Sequence, residues 1–355
     1  SNSNIYVLDR GADVLKVYYP TVFTNSVHNA LELYQDGFYS ESQDLWQDVL
    51  KMNDFFDLAH RGVANAYFSI GEYEEALEEY YIANDRGGYS DAFWEVRNAW
   101  LLDNAAIIII VFFSLLVILT VNIKLKFLSY VFNPIKRGIS WTRNKVKTFD
   151  DILYVFTYLK NPAEATYDIK RKERISAFSV TILLGLYFVF YIYYIYNLGF
   201  LFNYVHLENV NVIEEIVKVF LPVLLWVVSN FLIGSIKEGE GRLKDVYITT
   251  IYSLAPYFLI LPVIAFISNG LTYNESFILS LLETVAIGVT VIYFFFMVKE
   301  THFYSVKETF SSILISAFTM IMMLLGIFIV YILLNELFIL LKDIIMEVIY
   351  RVTNR

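Results

Sequence analysis

The run from Asn104 to Ile123 is twenty uncharged, mostly apolar residues. At about 1.5 Å of rise per residue a helix of that length covers roughly 30 Å, the thickness of a bilayer's hydrocarbon core. Further charge-free runs occupy 175–207, 219–236, 246–274 and 309–335, and 276–298 carries the single charge of Glu283. The pattern predicts six membrane spans. Residues 23–88 follow another period, two amphipathic helix–turn–helix units in which Gly37-Phe38-Tyr39 and Gly71-Glu72-Tyr73 stand 34 residues apart. Residues 89–102 read as one more helix, with Ser90 or Asp91 as N-cap, running straight into the first span. Ahead of them, 4–8 and 14–19 are short β-type runs around Arg10-Gly11, closed by Pro20. The expected fold is all-α: a helix-hairpin repeat domain, then a polytopic helical membrane bundle of six spans, with a short β-type N-terminal remnant.

Charge adds an orientation to that plan. Residues 1–103 hold 18 acidic and 6 basic side chains, whereas 123–176 hold 12 basic and 5 acidic. Lys and Arg collect in cytoplasmic loops. The loop 124–174 is rich in them, 237–245 has Lys237, Arg242 and Lys244, and 299–308 has Lys299 and Lys307. The alternate loops 203–217 and 269–276 have none. A cell-membrane protein with an extracytoplasmic repeat domain and a cytoplasmic 124–174 loop is expected, which leaves Lys342, Arg351 and Arg355 of the tail outside. The expected divisions are 1–22 (β-type remnant), 23–102 (repeats and capping helix), 103–123 (first span), 124–174 (basic segment), 175–341 (five-span domain) and 342–355 (tail). Within 124–174, residues 149–160 mix apolar and polar side chains at helical spacing. Asn161-Pro162 opens a new short helix with Glu164 in its first turn. An amphipathic, aromatic and basic segment of this kind is expected to lie in the membrane interface.

Composition sets further bounds. The chain is 57% hydrophobic and 18% aromatic, with net charge −9, which speaks for a lipid bilayer and against nucleic acid as partner. Without cysteine there is no disulfide, thiolate catalyst or cysteine metal site. The chain opens with Ser1, and is read as a fragment or processed form. His28, His60, His206 and His302 are scattered, with no His-Glu-x-x-His pair for zinc, no Gly-x-Ser-x-Gly elbow and no phosphate-binding glycine loop. Glu214-Glu215 resembles the paired glutamates of an intramembrane prenyl-protease family. That motif asks for Arg four residues after the second Glu, where Val219 stands. No enzyme, metal or cofactor is expected.

The candidate functional residues are polar groups inside spans and small residues at turns. Ser229 and Asn230 sit mid-span and want hydrogen bonds. Glu283 lies roughly 10 Å below the outer surface by helical rise, with Tyr191, Tyr193, Tyr194 and Tyr196 as possible partners at similar depth. Gly234 and Ser235 allow close helix contact, and Gly239 and Gly241 let the short loop reverse. Pro222, Pro256 and Pro262 are expected to kink their helices. On the first helices of the repeats, His60, Arg61 and Asn65 are expected to face a protein or envelope partner.

Three resemblances bear on these expectations. IYVLDRGADVLKVYYPT resembles the strand–turn–strand of an NHL-type propeller blade. Ala64, Tyr67, Gly71, Tyr73, Ala76, Tyr80 and Ala83 follow the order of the tetratricopeptide repeat, and Ala30, Leu33, Gly37, Tyr39, Trp46 and Val49 hold similar places one unit earlier. From about residue 160 to 341 the chain resembles the bacterial branch of the Yip-type (Ypt-interacting-protein-like) membrane family. NPAEATYDIKRKERIS looks like its Pro-led lead-in, and WVVSNFLIGSIKEGEGRLKDVYITTIYSLAP like its core. The resemblance implies five spans and no catalytic motif. The eukaryotic relatives' GTPase role is not carried over, because the soluble part here is a repeat on the outer face. The function expected is a non-enzymatic membrane scaffold or adaptor, with a transport-associated accessory role among its uses. Its repeats would recruit a protein or envelope partner, and its bundle would bind other membrane proteins. The alternative is a channel or transporter using Glu283 and Asn230.

Overall fold

The computed structural model describes residues 4–125, 133, 140, 142–143, 145–205 and 207–353. Most of the basic stretch between 126 and 144, and His206, lie outside the described residues. The fold is all-α with one two-stranded sheet, and six of its helical stretches are long and apolar enough to cross a membrane. The chain divides into two compact units. The first holds residues up to 130 with Gly199–Tyr204 and Ser268–Phe277, and the second holds the remainder.

The first unit opens with β1 (Ile5–Asp9) and β2 (Val14–Tyr18), antiparallel with Ile5 opposite Tyr18. The Asp9 carboxylate closes the turn, accepting the Gly11 and Ala12 N–H groups and the Lys16 ammonium. Helices α1 (Val22–Gln35), α2 (Tyr39–Met52), α3 (Asp57–Ile70), α4 (Tyr73–Ile82), α5 (Arg86–Asp103) and α6 (Ala105–Leu125) follow. Gly37 and Gly71 take φ of +85° and +90°, the left-handed conformation that reverses the chain between paired helices. Trp46 and Tyr80, 34 residues apart, are each buried against a glycine on a later helix, Gly62 and Gly88. The N-cap of α5 is Asp85, whose carboxylate accepts the Gly88 N–H, so the helix begins before Ser90 and Asp91. Asp85 wins because it directly follows Asn84, whose φ of +50° reverses the chain after α4. Ser90 lies a turn inside the helix and accepts the Tyr273 N–H instead.

The second unit contains α7 (Lys147–Leu153), α8 (Val155–Lys160), α9 (Pro162–Lys172), α10 (Ala177–Asn197), α11 (Val212–Ile236), α12 (Leu243–Ser253), α13 (Ala255–Ser268), α14 (Ser276–His302) and α15 (Val306–Thr353). The expected helix start at Asn161-Pro162 is found. The segment also packs on its own unit. Its apolar face enters the unit's core, where Tyr158 is fully buried and its hydroxyl meets Ser253 and Thr166. Asp151 takes the Ser176 N–H, and the Tyr252 hydroxyl donates to the Asp151 carbonyl. An amphipathic face is satisfied equally by a membrane surface and by a bundle, and here the bundle supplies the matching aromatics.

Two span boundaries differ from the charge-free runs. The fourth span breaks at Leu254 into α12 and α13. Pro256 therefore falls in the first turn of α13, where its missing N–H costs no helix bond, while Pro222 and Pro262 lie inside helices. The last span does not end near 335 with a tail from 342. It continues as one helix of 48 residues through Thr353, because the charges that interrupt the apolar run do not interrupt helix propensity.

A Cβ at Gly62 would overlap the Trp46 indole. Gly62→Ala is therefore expected to destabilise the α2–α3 pair by about 1–3 kcal/mol through overpacking. Amide exchange in α2 and α3 should accelerate accordingly, and unchanged exchange would show that the pair can adjust.

Candidate functional site

The turn joining α11 to α12 and the turn joining α14 to α15 meet around one imidazole. His302 ends α14 and is only 2% exposed. The glycines at 234, 239 and 241 form its walls: a Cβ on Gly239 would stand 2.6 Å from Nδ1, and one on Gly241 2.8 Å from Cε1. The glycines expected to serve close contact and chain reversal thus share a further duty, as a cradle for a ring. Gly234 makes the close approach, whereas Ser235 is exposed and donates to its own helix at the Phe231 carbonyl. Tyr304 stacks on His302 with centroids 5.2 Å apart, and its hydroxyl donates to the Gly234 carbonyl at 3.3 Å.

Asn230 fixes the imidazole's other edge. His302 Nε2 donates to Asn230 Oδ1 at 3.0 Å, and Asn230 Nδ2 donates to Ser316 Oγ at 3.3 Å. With the proton on Nε2, Nδ1 presents a lone pair that finds no hydrogen-bond partner among the described residues. Ser229 donates to the Leu225 carbonyl at 2.6 Å and touches the Met323 sulfur. Both strained turns are clamped from α9. Phe303 takes φ of +58°, uncommon for a bulky residue, with the Lys170 ammonium 3.9 Å from its ring centre. Lys170 also reaches Glu240 at 3.2 Å, and the Glu240 N–H approaches the His302 carbonyl at 3.4 Å. Burial lowers the Lys170 ammonium below its ordinary value, with Glu240 opposing.

Glu283 has the kind of partner expected of it. The Tyr194 hydroxyl donates to its carboxylate at 3.1 Å. Tyr191 turns instead to Glu215 at 2.7 Å, which Lys218 also pairs, while Tyr193 and Tyr196 are exposed. Glu215 drew notice in the sequence only as half of a hydrolase-like pair. Its place one helical face from Lys218 was the available sign of an ion pair.

In the repeat unit, His60 is turned inward. Its Nδ1 meets Glu79 at 2.6 Å and its Nε2 the Asp54 carbonyl at 2.9 Å. Both partners accept, so the ring is held as imidazolium. Burial pulls its pKa down, but the Glu79 and Asp54 contacts together outweigh this and leave it raised. Arg61 pairs with Asp85 at 2.8 Å, and Asn65 accepts the Tyr80 hydroxyl at 2.7 Å. The row expected to face a partner is thus engaged within the repeats. A cleft of about 630 Å³ opens elsewhere, between the start of α4 and the second half of α5. Glu72, Glu74 and Asp103 line it with Tyr73, Phe93 and Trp100.

Helix α5 also holds two loops. Arg97 makes a two-pronged pair with Glu275 at 2.7 and 2.8 Å and donates to the Gly270 carbonyl. Arg86 donates to the Asn203 carbonyl and lies over the rings of Phe200 and Tyr204. Loops 199–204 and 268–277 are thereby gathered on helix α5 within the first unit. No sequence spacing announces contacts between residues 117 to 178 positions apart. No family model, curated protein or solved structure matches the chain.

Two outcomes follow from these geometries. Gly239→Ala should displace His302 and lower the thermal stability of the detergent-solubilised protein, while an equivalent Ala at the open position Gly288 should not. An equal effect at both sites would deny the cradle its role. For His60 the folded pKa lies above the unfolded one, so its stabilisation is complete below about pH 6.5 and fades as pH rises through the folded value. The opening free energy of α3, from amide exchange corrected for intrinsic rates, should differ more between parent and His60→Gln at about pH 6 than at about pH 8. A gap that is constant or grows with pH would mean a neutral ring.

Proposed function

We propose that the protein is a non-enzymatic integral membrane scaffold. Its repeat module, tetratricopeptide-like, recruits a protein or envelope partner on the extracytoplasmic face. Its Yip-like bundle holds other membrane proteins in the cell membrane. The observation that carries the reading is the use of the intramembrane polar groups. Glu283 meets Tyr194, and Asn230 joins His302 to Ser316, while at the span's edge Glu215 meets Tyr191 and Lys218. Each ties one helix to another or to its own turn, and a conduction path would instead present such groups to water. The cleft beside α5 gives the repeats a concave face for a partner. The clasp of Arg97 and Arg86 ties that helix to loops leading into four of the spans, so recruitment at the repeats is carried to the bundle.

Orientation is tested by labelling, since the chain has no native cysteine. In intact cells an impermeant maleimide should label Ser69→Cys and leave Thr142→Cys unlabelled until the membrane is opened. The reverse pattern would invert the topology.

Glu283→Gln keeps a hydrogen-bonding group for Tyr194 and should leave abundance and partner retention unchanged. Glu283→Leu should lose on the order of 1 kcal/mol, as interhelical hydrogen bonds in membranes give. Proteoliposomes holding the purified protein should show no proton or sodium flux above empty vesicles. Flux that Glu283→Gln abolishes in a folded protein would replace the scaffold by a channel or transporter.

A further inference from the structure

Helices α10 and α11 are antiparallel spans that touch at one end and part toward the other. Near the loop that joins them, the Tyr191 hydroxyl meets Glu215 at 2.7 Å, and the Phe188 and Phe220 rings lie 5.6 Å apart. Toward the Ala177 end of α10 a groove of about 580 Å³ opens between them, lined also by Tyr247 of α12. Thr181, Leu184, Ile216, Phe220 and Leu224 complete its walls with their neighbours on α11. No charged side chain lines it, and the Thr181 and Tyr247 hydroxyls, 2.8 Å apart, spend their hydrogen bond on each other. All three helices belong to stretches long and apolar enough to cross a membrane, which offers such a groove hydrocarbon and not water.

Size and charge say which apolar occupant suits it. From Ile216 to Leu224 the groove runs for at least roughly 12 Å at helical rise. Its volume then corresponds to a cross-section of about 50 Å² or less, whereas a helix 10–12 Å across with its side chains needs about 80 Å² or more. An acyl chain, one methylene thick, enters where a helix does not.

At the mouth stands a cation. Lys244 lies three residues before Tyr247, on the same face of α12 and one turn nearer the helix start at Leu243. It is exposed and has no ion-pair partner among the described residues. The carboxylates around it are committed elsewhere, Glu173 and Asp245 to Arg242, and Glu240 to Lys170. A lysine at the end of a span carries its ammonium into the headgroup layer, where lipid phosphate is the acceptor.

We infer that this groove is a lipid site: it holds one acyl chain of a phosphate-bearing membrane lipid whose phosphate sits beside Lys244. The chain runs inward past Thr181 and Leu184 toward Phe220. The site goes beyond the scaffold reading and stands or falls without it.

The full-length protein in vesicles of phosphatidylethanolamine and phosphatidylglycerol tests this. The probe is a trace of phosphatidylglycerol bearing a diazirine midway along one tail. After photolysis, Leu184 and Leu224 should be labelled several-fold more than Val291 and Ile292, which are exposed on α14. Lys244→Gln should lower that labelling about fivefold, the worth of one lysine at a membrane surface. Leu224 is 60% exposed, so Leu224→Trp can fill the groove without disturbing the core, and it should lower labelling at Leu184 as well. The unmodified protein released into mild detergent should carry one phospholipid per chain by native mass spectrometry, a reading independent of how any variant folds. Even labelling of every exposed apolar face would mean lipid at the surface only and would overturn the site. So would labelling that ignores both substitutions, equal labelling by a diacylglycerol with the same tail, a lipid-free mass, or an unlabelled groove.

Discussion

A polar side chain within a bilayer has no water to fall back on, so every such group must find its partner in the protein. This constraint shapes the second unit more than any apolar contact does. The hydrophobic effect gives the spans little drive to associate, since lipid tails are as apolar as they are, so close packing and hydrogen bonds must supply it. What cannot be exchanged freely are the joints: Asn230 between His302 and Ser316, Tyr194 on Glu283, Tyr158 among Ser253 and Thr166. Each fixes which helix lies beside which. The glycine turn after α11 follows from the same need, because only glycines let two chain reversals close on an imidazole without clashing.

The first unit meets a different problem. Two hairpins bury too little surface to stand well alone, and roughly three repeats are usual. Helix α5 supplies the missing layer, with Ala92 and Tyr89 packed against α4. The same helix engages Glu275 through Arg97 and the Phe200 and Tyr204 rings through Arg86. One helix thus both completes the repeats and holds two loops. The cleft beside Phe93 and Trp100 is lined by that same helix.

Features set by local chemistry were legible in the sequence. Six apolar runs mark the spans, Gly37 and Gly71 the repeat turns, Pro162 a helix start, and the tyrosines near Glu283 a partner for it. What stayed hidden is non-local or degenerate. His302 lies 68 residues beyond Gly234, so the glycines read as a flexible turn and the histidine as scattered. The 147–172 segment carries an amphipathic face, and its packing against Tyr252 and Ile248 joins positions about 90 residues apart that no local pattern links. His60, Arg61 and Asn65 look like a polar row on a helix, yet Glu79, Asp85 and Tyr80 stand opposite and occupy them. The end of α15 was misjudged because Glu336, Lys342 and Asp343 end a hydrophobic run without ending a helix.

The central claim, that intramembrane polar groups here act as joints between helices, is tested most directly by a double-mutant cycle on Asn230 and His302. Asn230→Leu, His302→Leu and the pair would be compared with the parent by reversible unfolding in bicelles. The claim requires a coupling of about 0.5–2 kcal/mol, since Asn230→Leu leaves Nε2 of His302, and His302→Leu leaves Oδ1 of Asn230, buried without this bond. Additive losses, with no coupling between the two sites, would contradict it.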